Sequence, residues 1–278
     1  MVNIITDSTS DLGVDIARRF KLTVIPLSVT IHGKDYQDGV DIQQKKLFEL
    51  VKEYGELPKT AAPSVGEFKL AFDQPGESLF IGISSKLSAT LQNAHLAAEM
   101  LPEGKVRVLD SLNLSTGVGL LALRAAELRD RGLSARAIEA EILSSVPKVR
   151  TSFVIDTMEY LYKGGRCTAL QAVAGSVLKI HPIIEVQQDG SLGVKEKARG
   201  TLHKGHQQML EDFEAHLPEV DRQRVFVTHT CDGDEEVRFL VDEVKRIASP
   251  QEVLVTEAGS VISSHCGPGT AGILYFVK

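Results

Sequence analysis

The sequence predicts an α/β protein of two domains. A parallel-sheet, Rossmann-like domain spans residues 1–147, and an α/β domain with a mixed sheet spans 148–278. Three observations carry this reading. Through the first half, short apolar runs alternate with helical patterns, as parallel strands joined by crossover helices do. Beyond Pro147 the pattern changes, and Gln188-Asp189-Gly190-Ser191 between two apolar runs signals a hairpin, which makes the second sheet mixed. The 278 residues also exceed the roughly 250 at which single cores stop growing.

Residues 2–6 form the first apolar run, and Ser10 or Asp11 is placed to cap a helix over 12–20. Residues 23–31 are rich in β-formers but contain Pro26, the mark of an edge or irregular strand. A turn at His32-Gly33-Lys34-Asp35 leads to a charged amphipathic helix over 41–54. Pro63-Ser64 opens another helix, with Glu67 completing a capping box. Strands at 79–83 and 105–109 alternate with helices at 88–101 and 116–131, and Ser134 caps a further helix to 143.

In the second half, a strand at 150–155 precedes a helix at 157–163 that Gly164-Gly165 ends, and small residues such as Ala172 and Gly175 mark a close-packed helix at 168–179. Hairpin strands at 182–187 and 192–197 follow. A helix at 201–217, a strand at 225–228, a helix at 234–248 and strands at 253–256 and 273–277 complete the chain.

Four hydroxyl clusters end apolar runs in the first 116 residues: Thr6-Asp7-Ser8-Thr9-Ser10, Thr60-Ala61-Ala62-Pro63-Ser64, Ser84-Ser85-Lys86-Leu87-Ser88-Ala89-Thr90 and Ser111-Leu112-Asn113-Leu114-Ser115-Thr116. If the runs are parallel strands, the clusters gather on the carboxyl edge of the sheet, where open α/β sheets bind ligands. Hydroxyls beside helix N-termini suit an anion or carboxylate. Ser10 and Ser64 are read as helix caps. Thr60 lies outside a helix start, and the 84–90 loop holds more hydroxyls than a cap requires.

Several function classes are excluded or weakened. A formal charge of -6 argues against a general phosphate-backbone binder of nucleic acid. No apolar stretch approaches the roughly 20 residues that cross a bilayer, so no stable membrane insertion is expected. The opening residues lack a signal peptide's basic region and long apolar core, and the three cysteines are scattered; both point to the cytoplasm. A serine hydrolase would want Gly-x-Ser-x-Gly, which is missing. Nucleotide motifs are missing too, and no cofactor is expected. His203 and His206, three apart on a helix, could hold a metal but read better as a solvated face. His265-Cys266-Gly267-Pro268-Gly269-Thr270 reads either as a tight turn before the last strand or as a loop that brings His265 to the cleft. Arg166, after the two glycines, either faces solvent or guards the cleft mouth.

Six motifs in order, running nearly end to end, resemble the DegV family of bacterial fatty-acid-binding proteins that partner fatty acid kinases. They are Thr6-Asp7-Ser8-Thr9-Ser10-Asp11-Leu12, Thr60-Ala61-Ala62-Pro63-Ser64, and Ile83-Ser84-Ser85-Lys86-Leu87-Ser88-Ala89-Thr90 with Asp110-Ser111. The second half adds Glu159-Tyr160-Leu161-Tyr162-Lys163-Gly164-Gly165-Arg166, Leu178-Lys179-Ile180-His181-Pro182-Ile183 and His265-Cys266-Gly267-Pro268-Gly269. The resemblance implies that one long-chain fatty acid is held with its tail in a tunnel and its carboxylate at the domain cleft. It implies ligand-binding roles for Thr60, Ser88, the backbone N–H of Ala89, and His265. It further implies phosphoryl transfer or partner docking at Arg166 and Arg199, and a separate ATP-dependent kinase that brings its own metal ions. The chain itself is then a lipid-binding subunit and not an enzyme. The different-class alternative is a stand-alone acyl hydrolase or phosphotransferase acting on a small carboxylate or phosphate ligand. Ala61 stands where the family usually has Ser, Ala89 where it has Gly, Leu91 where Tyr is common and Cys266 where Thr is common.

Overall fold

The computed structural model describes residues 2–167, 180–231 and 233–278. The first strands are β1 (Asn3–Asp7), β2 (Thr23–Ile25), β3 (Ser28–Ile31), β4 (Lys34–Gln37) and β5 (Lys59–Ala61), with helices α1 (Gly13–Arg19) and α2 (Gln44–Tyr54) among them. Then follow α3 (Val65–Phe72), β6 (Ser78–Gly82), α4 (Thr90–Glu99), β7 (Val106–Asp110), α5 (Thr116–Asp130) and α6 (Ala135–Ser145). Strands β2-β1-β6-β7 form a four-stranded, all-parallel sheet in that order. Every residue of β6 is buried, as a continuous apolar run in a central parallel strand should be.

The second half contributes β8 (Val149–Val154), α7 (Glu159–Gly164), β9 (Ile180–Val186), β10 (Leu192–Arg199), α8 (Leu202–Ala215) and β11 (Val220–His229). It ends with α9 (Asp234–Ala248), β12 (Glu252–Glu257), α10 (Ser260–Cys266) and β13 (Ala271–Val277). Its six-stranded sheet runs β10-β9-β8-β13-β11-β12, parallel only between β11 and β12. The expected β9–β10 hairpin is present, turning at Asp189-Gly190.

Helix α5 joins the two sheets. It is apolar around nearly its whole circumference, the mark of a helix buried on all sides. Val118 and Leu121 pack with Leu79 and Ile81 of the parallel sheet and with Phe226, Leu274 and Phe276 of the mixed sheet in one continuous core.

The structure corrects several expectations. Residues 23–31 form two strands in different sheets, because Pro26 cannot donate to a ladder and breaks the run. Beyond it, β4-β3-β5 make a separate antiparallel sheet that takes in Lys34 and Asp35 of the expected turn. Ser10 does not cap α1, whose N-cap, Leu12, makes no side-chain bond. Asp7 caps a short 3-10 turn over Ser8–Ser10 instead, while Asp11 reaches across to Gly259. The capping box at Ser64 and Glu67 and the Ser134 cap are present. The helix expected at 168–179, with Leu178 and Lys179 of the fifth motif, lies outside the described residues.

Candidate functional site

Three of the four hydroxyl clusters follow β1, β6 and β7 at the carboxyl edge of the parallel sheet. The fourth arrives differently: Thr60 lies on β5, where pairing with Val29 of β3 fixes its direction. Strand β5 and the loops after β6 and β7 meet α7 and α10 around a cavity of about 180 Å³, which the cluster after β1 does not line. Its walls come from an apolar cluster that includes Leu87, Leu114, Leu161, Leu192 and Ile262.

The polar groups of the lining lie beside these walls. Thr60 Oγ1 lies 2.8 Å from His265 Nε2. His265 sits in the last turn of α10, a helix where a loop was expected, so its ring is held by seven residues of regular backbone. Burial, and secondarily the Arg166 guanidinium, push the imidazole down to about 4, so it is neutral at physiological pH. Ser88 Oγ shares a hydrogen bond of 2.8 Å with Thr90 Oγ1 and accepts from the Thr90 N–H at 3.3 Å. Ala89 follows as the N-cap of α4 and, like Ala61 and Ala62, lines the cavity. Arg166 closes the rim: its Nη1 donates to Gly164 O at 2.6 Å and its Nε to Leu87 O at 3.4 Å. That ties the end of α7 to the Ser88 loop.

Not every expected residue joins this group. Arg199 is exposed at the end of β10 and is not part of the cavity lining. Leu91 is buried on the other side of the parallel sheet's edge, with Phe68 and Phe80. Ser84 donates to Gly190 O at 2.8 Å, which docks the β9–β10 hairpin tip against the loop and leaves no activated serine there. His203 and His206 both turn Nδ1 to Glu236, at 3.0 and 2.9 Å, and His206 is fully buried, so the pair forms a hydrogen-bonded cluster and only His203 lies on the solvated face that was expected of both. Among the described residues no group of three or more potential ligands could hold a metal ion.

Sequence reasoning missed a second, smaller chamber of about 30 Å³ beside the first. The two share Leu114, Ile262 and Cys266. Four threonines line the second chamber, yet their hydroxyls are used internally. Thr228 bonds Thr116 at 2.7 Å and Thr256 at 3.0 Å, Thr230 donates to Gly267 O at 2.7 Å, Thr270 to Cys266 O at 2.9 Å, and Thr151 to Asn113 Oδ1 at 2.7 Å. What remains facing the chamber is almost wholly apolar. Burial pushes the Cys266 thiol at the junction up to about 12, with a smaller contribution from Asp11, so it is not a nucleophilic thiolate. The Ser111–Thr116 cluster, left open by the sequence, is internal as well: Ser111 Oγ donates to Asn113 O and Ser115 Oγ to Asp11 Oδ2.

The chain is similar to known proteins over its whole length. A family model described as "Uncharacterised protein, DegV family" matches residues 1–278. A solved DegV family protein from Thermus thermophilus, described for its fatty acid binding, is 35% identical with a TM-score of 0.92, and the match covers 100% of this chain and 99% of that one. DegV of Bacillus subtilis, a fatty acid binding protein, is 26% identical with a TM-score of 0.85 over 100% and 99% of the two chains. The Streptococcus pneumoniae fatty acid kinase (Fak) B3 protein, loaded with linoleic acid, shares the fold at 20% identity, with a TM-score of 0.85 over 100% of both chains.

Proposed function

The chain belongs to the DegV family, and from that premise we propose that it binds one long-chain fatty acid and presents the carboxylate to a separate ATP-dependent fatty acid kinase. The observation that carries the reading is the mixed lining of the cavity: apolar walls that continue through Leu114, Ile262 and Cys266 to a smaller apolar chamber, and the polar groups of Thr60, Ser88 and His265 beside them. A fatty acid has that same mixed character. Burying roughly 15 methylenes at about 0.8 kcal/mol each contributes on the order of 12 kcal/mol before association costs. With the domains divided between 147 and 148, the tail runs inward past Leu114, Ile262 and Cys266. The carboxylate faces Thr60, Ser88, the Ala89 N–H and His265.

These donors are neutral. They orient the carboxylate without an ion pair that would resist its transfer to a phosphoryl group. Among the described residues Arg166 is the one Lys or Arg lining the cavity, suited to the greater charge of an acyl phosphate. Arg199, exposed and apart from the cavity, is assigned to the partner-facing surface. The kinase supplies ATP and its metal ions. Thr60 and His265 resemble a nucleophile–base pair in distance alone. A hydrolytic base needs a third group to orient it, and His265 Nδ1 has no hydrogen-bond partner among the described residues.

Denaturing mass spectrometry of the purified protein should show one co-purified fatty acid. Addition of a bacterial fatty acid kinase with ATP and Mg²⁺ should yield acyl phosphate. A bare protein that also fails to take up added fatty acid would sink the proposal.

A further inference from the structure

The two glycines that end α7 serve different needs. Gly165 is the helix C-cap at φ +70°, in the left-handed region where glycine is favoured. Gly164 has no such backbone requirement; what it provides is space. A Cβ there would lie 2.5 Å from His265 Nδ1 and 3.4 Å from Cε1, so the imidazole edge rests directly on the α7 backbone. Nδ1 is buried in that contact and has no hydrogen-bond partner among the described residues, whereas Nε2 faces Thr60 Oγ1 at 2.8 Å.

A neutral imidazole carries one proton and must place it on one of its two nitrogens. On Nδ1 the proton would point at backbone with no acceptor, a buried unsatisfied donor. On Nε2 it is donated to Thr60 Oγ1. The consequence passes to the threonine. A hydroxyl that accepts from Nε2–H keeps its own hydrogen for the cavity; one that donated to a bare Nε2 would have none to offer a ligand. Arg166 is the charged group nearest this edge. Its Nη1 donates to Gly164 O, and as a cation it cannot accept a proton from Nδ1.

We propose that Gly164 is a positioning residue for carboxylate recognition: by seating the Nδ1 edge of His265 against bare backbone, it holds the ring proton on Nε2 and turns the Thr60 hydroxyl outward as a donor to the bound carboxylate. The inference rests on the fatty-acid reading for its ligand, but its first observable does not require one.

Nitrogen-15 NMR of the full chain labelled at histidine, with His265 assigned by loss of its signals in His265→Gln, reads the tautomer directly. An unprotonated Nδ1 and a protonated Nε2 are expected in the ligand-free protein. Gly164→Ala should shift or mix that signature and weaken palmitate binding about tenfold, the scale of one hydrogen bond to a charged group. Introduced into His265→Ala, where the ring is gone, the same substitution should add less than about twofold. An Nδ1–H tautomer in the wild-type protein overturns the inference, and so do Gly164→Ala and His265→Ala effects that simply multiply. The tautomer measurement needs no glycine variant, so it stands even if Gly164→Ala fails to fold. A protein with the expected tautomer that takes up no palmitate overturns the lipid reading. One that binds palmitate with the other tautomer overturns this inference alone.

Discussion

The two ends of α10 are built from similar material and do opposite things. At its N-terminal end Asp11 Oδ1 accepts the Gly259 N–H at 2.8 Å and Asp38 Oδ1 accepts the Ser260 N–H at 2.6 Å. Asp11 Oδ2 also takes the Ser115 hydroxyl at 2.6 Å. At the C-terminal end His265 meets Thr60, and its neighbours open into the cavity. Burial drives both ends toward the uncharged form, raising Asp11 and Asp38, the latter to about 6, and lowering His265 to about 4. The N-terminal groups direct their bonds at the helix's own backbone, so that end is an anchor. The C-terminal donors face empty space, so that end receives. Density of hydroxyls and charges does not distinguish a site from a brace; the direction of the remaining bonding capacity does.

The sharpest way to break this contrast is at the anchor. Asp11→Ala strands the Gly259 N–H and the Ser115 hydroxyl and should cost about 3 kcal/mol in urea unfolding. A loss under about 0.5 kcal/mol, the range of an ordinary surface change, would mean that the end is not braced this way. At the junction of the chambers, Cys266→Phe should shorten the bound acyl chains seen by mass spectrometry. Affinity for long tails should fall by about 0.8 kcal/mol per methylene excluded. Unchanged chain lengths would place the tail elsewhere. At the receiving end, Thr60→Ala should weaken fatty acid binding by about 1–1.5 kcal/mol in titration calorimetry while stability stays within about 0.5 kcal/mol. A variant that instead loses stability and keeps affinity would make Thr60 part of the brace.

In the wild-type protein the pH effect is small only because the two ends have opposite signs. Asp38, raised in the folded state, contributes stability that is complete below the unfolded carboxyl value near 3.9 and lost as pH rises through about 6. His265, lowered when folded, contributes stability that is complete above about 6.5 and lost as pH falls toward 4. The contributions offset each other across that window. Asp38→Asn should therefore leave a stability curve that rises more steeply with pH between 4 and 6.5, and His265→Ala one that falls more steeply. Curves parallel to the wild type would show that these two groups do not titrate as the geometry requires.

How much of this was legible in the sequence depended on how local the cause was. The capping box at Ser64 and Glu67 lies within four consecutive residues, and it is present. Helix α9 occupies the residues read from its apolar period, and the Asp189-Gly190 hairpin is where its turn signal put it. Helix α10 was missed for the converse reason. Ser260-Val261-Ile262-Ser263-Ser264-His265-Cys266 combines β-branched residues and serines, which are poor helix formers, and its two anchoring carboxylates lie 248 and 222 positions away. The strands of the three-stranded sheet are only three or four residues long, too short for a period to show. At the site, Thr60, Ser88, Ala89, His265 and Arg166 were found through motifs and do meet, while Arg199 does not join them. Leu114 and Ile262 could not be found, because a leucine facing a chamber and a leucine facing another leucine look alike in sequence.

The packing of α5 bears on how a ligand enters. Because Val118 and Leu121 share one core with Phe226, Leu274 and Phe276 across the two sheets, the helix is a party wall and not a hinge pin. Swinging the halves apart like a clam shell would bare those three large side chains alone at about 2 kcal/mol each, on the order of 6 kcal/mol in total. Displacing one side chain such as Arg166, held at the cavity lining by bonds to Leu87 O and Gly164 O, would bare far less and leave the shared wall standing.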